Sequence, residues 1–206
     1  MKKNLKILNE FEGASLLRQS GIPVIDGILA HTDAEAAEAA GRLGFPVALK
    51  ICSEAVPHKT ERGGVSLNIK DTAALERAVR EMKKRFPDIP FALLVQKMAR
   101  PGTELILGCR RDPVFGPIVL AGIGGIFTEI FRDSVIELAP VDEEDAPAML
   151  RRLKGVALLD GYRSREPLDV AAIAKSLSAL SRLIADRPDV AEIDVNPVIA
   201  GPQGGG

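Results

Sequence analysis

A chain of 206 residues that is 46% hydrophobic and 27% charged has ordinary globular composition, enough for one large domain or two small lobes. Its net charge of −1 supplies no basic field for nucleic acid and no pull toward a membrane surface. Cys52 and Cys109 are too few for a disulfide framework, and no apolar run approaches the roughly 18 residues of a membrane helix. The start, MKKNLKILNEFEG, is interrupted by Asn4, Lys6, Asn9 and Glu10 and does not read as a signal peptide. The expectation is a soluble, cytoplasmic protein with reduced thiols, and with neither nucleic acid nor membrane as partner.

In chain order, residues 9–20 place Phe11, Ser15, Leu16 and Gln19 at helical spacing, with Asn9 as N-cap and Gly21 as the stop. Residues 22–30 read as a strand that Pro23 confines to an edge or a strand start. Thr32-Asp33 opens an alanine-rich helix that Gly44 ends. FPVALK (45–50) and VSLNI (65–69) are two β-type runs joined by a polar loop, with Lys50 closing the first. Asp71-Thr72 caps a helix whose buried face is Leu75, Ala78, Val79 and Met82, and FALLVQKM (91–98) adds a strand. These segments make one α+β lobe.

The turn at Arg100-Pro101-Gly102 leads into TELILGCRR and PIVLAGIGG, strands on either side of Asp112–Gly116. Strands joined by turns rather than helices predict an antiparallel sheet, continued by FTEIFRDSVIELAPV. Asp142 begins a helix expected over 142–155, with an acidic first turn and Pro147 early in it. A loop over 158–169 leads to a helix from Val170 to Ala185 with Ile173, Leu177, Leu180, Leu183 and Ile184 on one face. VAEIDVNPVIA is a last strand, with Asp194 and Asn196 pointing the same way. There is no internal repeat, and GPQGGG has linker composition.

The stretch from Phe45 to Ile69 carries the sharpest chemistry. A glycine-bearing loop (Gly63-Gly64) with one or two lysines suits a polyphosphate, because glycines let backbone N–H groups approach closely. It is not a P-loop, which needs a lysine directly after glycine at a helix mouth. A surface hairpin whose lysine caps an edge fits the residues equally well. His58 lies in the same loop and is a possible nucleophile toward a phosphoryl group, although a lone loop histidine is more often simply solvated. Asp194 and Asn196 offer oxygen donors that suit Mg²⁺, or polar groups of an edge strand facing water. Gln96 and Glu104 flank the turn between the lobes. Gly122, Gly124 and Gly125 make either a second close-approach loop or a tight turn.

Lys50 at its strand, HKTERGGV, LLVQKM, GTELILGCRRDPVFGPIVLAGIGGIFTEI, the loop with Gly161 and Arg163, and EIDVNPVI follow one another in this order. Together, from Leu8 to Ile199, they resemble the ATP-grasp β subunit or domain of NDP-forming (ADP-forming) acyl-CoA synthetases, relatives of the succinyl-CoA synthetase β chain. The resemblance implies an α/β (α+β) ATP-grasp fold of two lobes with ATP or ADP and Mg²⁺ in the cleft between them. Residues 22–98 would form the N-terminal lobe; 1–21 and 99–206 would form the C-terminal lobe, with helix 9–20 packed on it.

On the same resemblance, Lys50 contacts the nucleotide phosphates, and Lys59, Thr60, Gly63 and Gly64 belong to the loop covering them. Gln96, Lys97, Met98 and Ala99 hold adenine, largely through backbone groups, and Glu104 reaches the ribose. Asn196, with Asp194 beside it, holds Mg²⁺. His58 carries phosphate between the acyl-CoA half and ADP. Two departures stand out. The family's NP-type strand is normally followed by a run with a second acidic metal ligand, and this sequence ends at Gly206 before one. The CoA-binding and ligase halves are also absent, so the implied partner is an α subunit or covalent domain that carries them. Other readings are a non-catalytic ligand-sensing module like that of some protein acetyltransferases, an assembly-only subunit and, more distantly, a carboxylate–amine ligase.

Overall fold

The computed structural model describes residues 6–56, 59, 60, 62–125, 133–162 and 166–203. Its contacts divide the chain into two units, Met1–Arg18 with Val24–Ala99, and Gln19–Pro23 with Arg100–Gly206. Both contain an antiparallel four-stranded sheet.

The first unit opens with α1 (Glu10–Gln19). A reciprocal cap starts it: Glu12 N–H donates to Asn9 Oδ1, and Asn9 N–H donates to Glu12 Oε2, both at 3.0 Å. Gly21, at φ +79°, follows its end as expected. The helix buries Leu17, while Phe11 and Gln19 of the spacing pattern are exposed. The sheet is built from β1 (Gly27–Ala30), β2 (Val47–Cys52), β3 (Val65–Ile69) and β4 (Ala92–Lys97), in the order β1-β4-β2-β3. β1 is an edge strand, in keeping with Pro23 just before it.

Two helices, α2 (Asp33–Leu43) and α3 (Thr72–Arg85), contribute to the core of this unit. Val47, Leu49 and Ile51 of β2 join that core with Leu93 and Val95 of β4. The period-two rule then sends Lys50 and Gln96 to the opposite face. All four predicted residues of α3 (Leu75, Ala78, Val79 and Met82) are buried. The Asp71 carboxylate caps that helix by accepting the Ala74 N–H at 2.7 Å. Asp71→Ala is therefore expected to lower stability by about 1 kcal/mol, read from the urea midpoint at unchanged m-value.

The second unit contains β5 (Thr103–Asp112), β6 (Gly116–Ile123), β7 (Ser134–Leu138) and β8 (Glu192–Ala200), in the order β7-β6-β5-β8. The long helix α5 (Val170–Asp186) packs across β5 and β6, with the short α4 (Ala146–Leu150) beside it. Ile173, Leu177, Leu180, Leu183 and Ile184 are buried, as their spacing predicts. The buried Ser181 hydroxyl accepts Val141 N–H at 2.9 Å and lies 3.1 Å from Val141 O, tying the segment before α4 to α5. Arg111 secures the far end of α5, donating to the carbonyls of Val190 and Arg187 at 3.1 and 2.9 Å and to that of Ile184.

Two expectations are corrected here. The helix anticipated over 142–155 shrinks to Ala146–Leu150, followed by turns and a 3₁₀ turn at Val156–Leu158. The buried Asp133 carboxylate draws the chain off the helical path by accepting the N–H groups of Lys154 at 2.9 Å and Gly155 at 2.7 Å. At Gly155 the approach is so close that a Cβ would sit 3.1 Å from both Asp133 Oδ2 and Ile123 Cγ1. Secondly, Lys50 does not end its strand. β2 runs on to Cys52 and is an interior strand, paired with β3 on one side and β4 on the other, so Lys50 caps no edge. Residues 127–132 of the long β-type run lie outside the described residues, and only Ser134–Leu138 of it is seen as strand.

Candidate functional site

Lys50 lies opposite Val65 in β3 and Leu94 in β4, on the sheet face turned away from the α2/α3 core. Its Nζ is 2.7 Å from Glu10 Oε1 in the first turn of α1. The other oxygen of the same carboxylate, Oε2, pairs with Lys59 of the β2–β3 loop. One carboxylate thus gathers two ammonium groups from a strand and a loop. The three side chains are only 22%, 26% and 25% exposed for Lys50, Glu10 and Lys59. Burial pulls the pKa of both lysines below the ordinary lysine value.

The glycines of the loop complete its local geometry. Gly64 N–H donates to Lys59 O, Gly63 N–H to Thr60 O at 3.1 Å, and Ile51 N–H to Gly64 O at 2.8 Å, so the loop folds back on β2. Gly63 has φ +71°, and a Cβ there would run into the Arg85 guanidinium, which donates to Gly63 O at 3.2 Å. Arg62 lies over the Phe86 ring, 5.5 Å from its centroid. The described part of the loop is thereby tied on one side to Glu10 and on the other to the end of α3. Of the residues singled out from the sequence, Lys50 lies on β2 and Lys59, Thr60, Gly63 and Gly64 on the loop that folds back on it, while His58 lies outside the described residues, as does Arg163.

Gln96 lies opposite Ala48 and therefore shares the Lys50 face of the sheet. Its amide donates to Ile25 O at 3.5 Å. Lys97 faces the other way and pairs with Asp26 at 3.4 Å. Met98 and Ala99 follow β4 without strand pairing, and Met98 Sδ accepts the Asn68 N–H at 3.4 Å.

In the second unit, Glu104, Asp194 and Asn196 share one sheet face. Gly108 pairs with Asp194 and Glu104 with Ile199, and a register shift between Leu105 and Leu107 takes up Asn196-Pro197 opposite Ile106. Pro197 has no N–H to extend the ladder, which suits a bulge at this position. The opposite face, with Leu105, Leu107, Cys109, Val119 and Ala121, is buried. Asp194 and Asn196 line a concavity of about 500 Å³ over Gly108, Leu120 and Gly122.

Glycines at the rim approach neighbouring backbone closely: a Cβ at Gly122 would lie 3.1 Å from Asp133 O, and the tightest approach is at Gly124. Gly124 N–H donates to Glu104 O at 2.8 Å, and a Cβ at Gly124 would lie 2.8 Å from the Glu104 carbonyl carbon. Backbone cannot yield as a flexible side chain can, so Gly124→Ala is expected to cost about 1 to 2 kcal/mol, read by urea denaturation.

The donor set fits a Mg²⁺ ion in part. Carboxylate and amide oxygens lie on one face, and burial, together with Glu192, pushes the Asp194 carboxyl pKa up from its ordinary value. A cation there would relieve that unfavourable charge. Among the described residues no three or more His, Cys, Asp or Glu side chains are gathered to hold a metal by themselves. Such a site suits Mg²⁺ that keeps waters and phosphate oxygens in its shell rather than one in an all-protein cage.

One residue of this constellation escaped the sequence reading. Glu10 is 40 residues from Lys50 and 49 from Lys59, so no local spacing could announce it. Nor is any helix among the described residues long and apolar enough to cross a membrane.

The ATP-grasp domain family matches residues 1–205. The β subunit of acetate–CoA ligase [ADP-forming] I from Pyrococcus furiosus is 36% identical over 94% of this chain and 85% of that protein. A 4-hydroxybutyrate–CoA ligase [ADP-forming] from Nitrosopumilus maritimus is also 36% identical, over 97% of this chain, which spans only 29% of that protein. Among solved structures, acetyl-coenzyme A synthetase 1 of Ca. Korarchaeum cryptofilum, in complex with coenzyme A, Ca-AMPCP and HgCl+, superposes with a TM-score of 0.92 at 41% identity. That match covers 96% of this chain and 88% of the other. By its fold and by this likeness along nearly its whole length, the chain belongs to the ATP-grasp family, alongside the β subunits of ADP-forming acetate–CoA ligases.

Proposed function

We propose that this chain is the nucleotide-binding part of an ADP-forming acyl-CoA synthetase, serving the reversible reaction acyl-CoA + ADP + phosphate ⇌ acid + CoA + ATP. The observation that carries this reading is the pair of part-buried lysines, Lys50 and Lys59, gathered beside a glycine-bearing loop on an interior strand. Two cations kept from bulk water next to close-approach backbone suit a nucleoside polyphosphate. The related proteins named above are ligases, which favours a working enzyme over a ligand-sensing or assembly-only module.

In this scheme Lys50 and Lys59 take the phosphates, with Thr60, Gly63 and Gly64 closing over them. Gln96, Lys97, Met98 and Ala99 receive the base, and Glu104 the ribose. His58 is the phosphoryl carrier. A terminal phosphate oxygen of ADP forms a bond to the phosphorus of the phosphohistidine as the P–N bond breaks, and the imidazole leaves with that electron pair. Mg²⁺, held by Asn196 and Asp194, would offset charge on the phosphates. The lysines orient the phosphates and spread the charge of a loose, largely dissociative transfer. Coenzyme A and the acid would be handled by an α subunit or a covalent domain, so the chain alone is not expected to form acyl-CoA.

Calorimetric titration of ADP and ATP into the wild-type chain, with Mg²⁺ and with EDTA, tests the core of the proposal. Binding that strengthens with Mg²⁺ is expected. If neither nucleotide binds under either condition, even with a CoA-binding partner present, the reading fails.

A further inference from the structure

Glu10 has no part in the scheme so far, yet it is the group on which both phosphate-facing lysines converge. Lys6 does not compete for it, because Lys6 pairs with Glu12 at 3.0 Å. Glu10 is left to bridge β2 and the β2–β3 loop from the first turn of a third element, α1. Two ammonium groups at adjoining sites repel each other, and burial makes each easier to deprotonate. A shared carboxylate works against both effects. It uses one donor of each ammonium group and leaves two on each for a ligand.

We propose that Glu10 is the positioning residue of the phosphate subsite, holding the Lys50 and Lys59 ammonium groups side by side so that they take neighbouring phosphates of a nucleoside diphosphate or triphosphate. This rests on the reading of Lys50 and Lys59 as phosphate contacts. Glu10 does not itself touch the nucleotide. It sets the spacing of the two cations and keeps them charged, and in doing so docks the loop against the sheet. The pairing of a phosphate-binding lysine with a helix glutamate in protein kinases is a general precedent for this division of labour.

The test is ADP affinity across pH 8 to 10 for wild type, Glu10→Gln, Glu10→Asp, Lys50→Ala and Lys59→Ala. Above about pH 8 the ADP phosphates have finished titrating, since their last ionisation lies at about 6. Charged or titratable groups on the neighbouring elements include Lys6 and Glu12 by α1, Cys52 and Glu54 in and just after β2, and Arg62 and Arg85 on the far side of the loop. Burial raises the Cys52 thiol pKa, and Glu12 raises that of Lys6, so neither group supplies an early fall-off. Glu10→Gln is expected to weaken ADP binding about fivefold at pH 8 and to move the alkaline loss of affinity to lower pH, because the lysines lose their counter-charge. Glu10→Asp keeps that charge at shorter reach, so its affinity falls while its pH profile stays with wild type.

A Glu10→Gln protein with wild-type affinity and profile overturns the proposal, and so does a uniform loss with an unmoved profile, which is what a purely structural role would give. If Glu10→Gln does not fold, the Glu10→Asp comparison decides, and a profile shifted to lower pH there counts against the proposal. Wild-type affinity in both Lys50→Ala and Lys59→Ala would sink the phosphate-contact reading itself, a result separable from the failure of Glu10 alone.

Discussion

Lys50→Ala is expected to weaken ADP binding about 100-fold while the folded chain survives. A charge-assisted hydrogen bond between ammonium and phosphate contributes about 3 kcal/mol at the upper end, and each 1.4 kcal/mol is a factor of ten in affinity. The upper end applies because Lys50 is only 22% exposed and so is poorly screened by water. Stability should change little for a separate reason. The substitution removes an ammonium group whose burial is unfavourable, as its lowered pKa indicates, and it leaves the Glu10 carboxylate paired with Lys59. The two halves of the prediction are read separately, by calorimetry and by thermal unfolding. Unaltered ADP affinity would remove Lys50 from the site. A collapse in unfolding temperature would make it a structural lysine.

Much of the local logic of the helices was readable in this sequence, although the spacing in α1 named Phe11 and Gln19, which are exposed. Thr32 and Gly44 bound α2, and Asp71 caps α3. The stripes of α3 and α5 bury the residues their spacing names, because each depends on neighbours within a few turns. The helix expected over 142–155 went wrong where a distant group intervened, since Asp133 takes the amides of Lys154 and Gly155 from another part of the chain. The candidate site divides in the same way. Lys50 and the Gly63-Gly64 loop are close in sequence, and their places on a strand and on the loop that returns from it were legible. Their position on an interior strand was not, because β4, the partner that makes β2 interior, lies some 40 residues on. Glu10 was read only as a polar interruption near the start of the chain, since its partners come from two later segments. Residues of the site that a single turn brings together could be inferred; those that tertiary pairing brings together could not.

Asp194→Asn is expected to remove most of the Mg²⁺ effect on ADP affinity, about tenfold, and to leave the chain as stable as wild type or more so at neutral pH. The asparagine keeps the shape and an oxygen donor but loses the charge a divalent ion seeks. The stability half follows from the electrostatics of β8. Burial and Glu192 raise the Asp194 pKa, and Arg110, opposite Glu192 in β5, pairs with Asp112 instead. A carboxyl whose folded pKa is raised binds its proton more tightly in the folded chain than in the unfolded one. Its contribution to stability is therefore lost as pH climbs from the ordinary aspartate value near about 3.9 through the raised value. At neutral pH the charge is a standing cost, which the asparagine lacks, and the difference between the two proteins should vanish as the pH falls below about 4. Unfolding curves at pH 4 and pH 7 check the sign, and ADP titrations with Mg²⁺ and with EDTA check the ligand role. An Mg²⁺ effect as large in Asp194→Asn as in wild type would mean that this carboxylate is no ligand. A loss of the Mg²⁺ effect together with a gain at pH 7 would mark Asp194 as a residue whose charge serves binding at the expense of the fold.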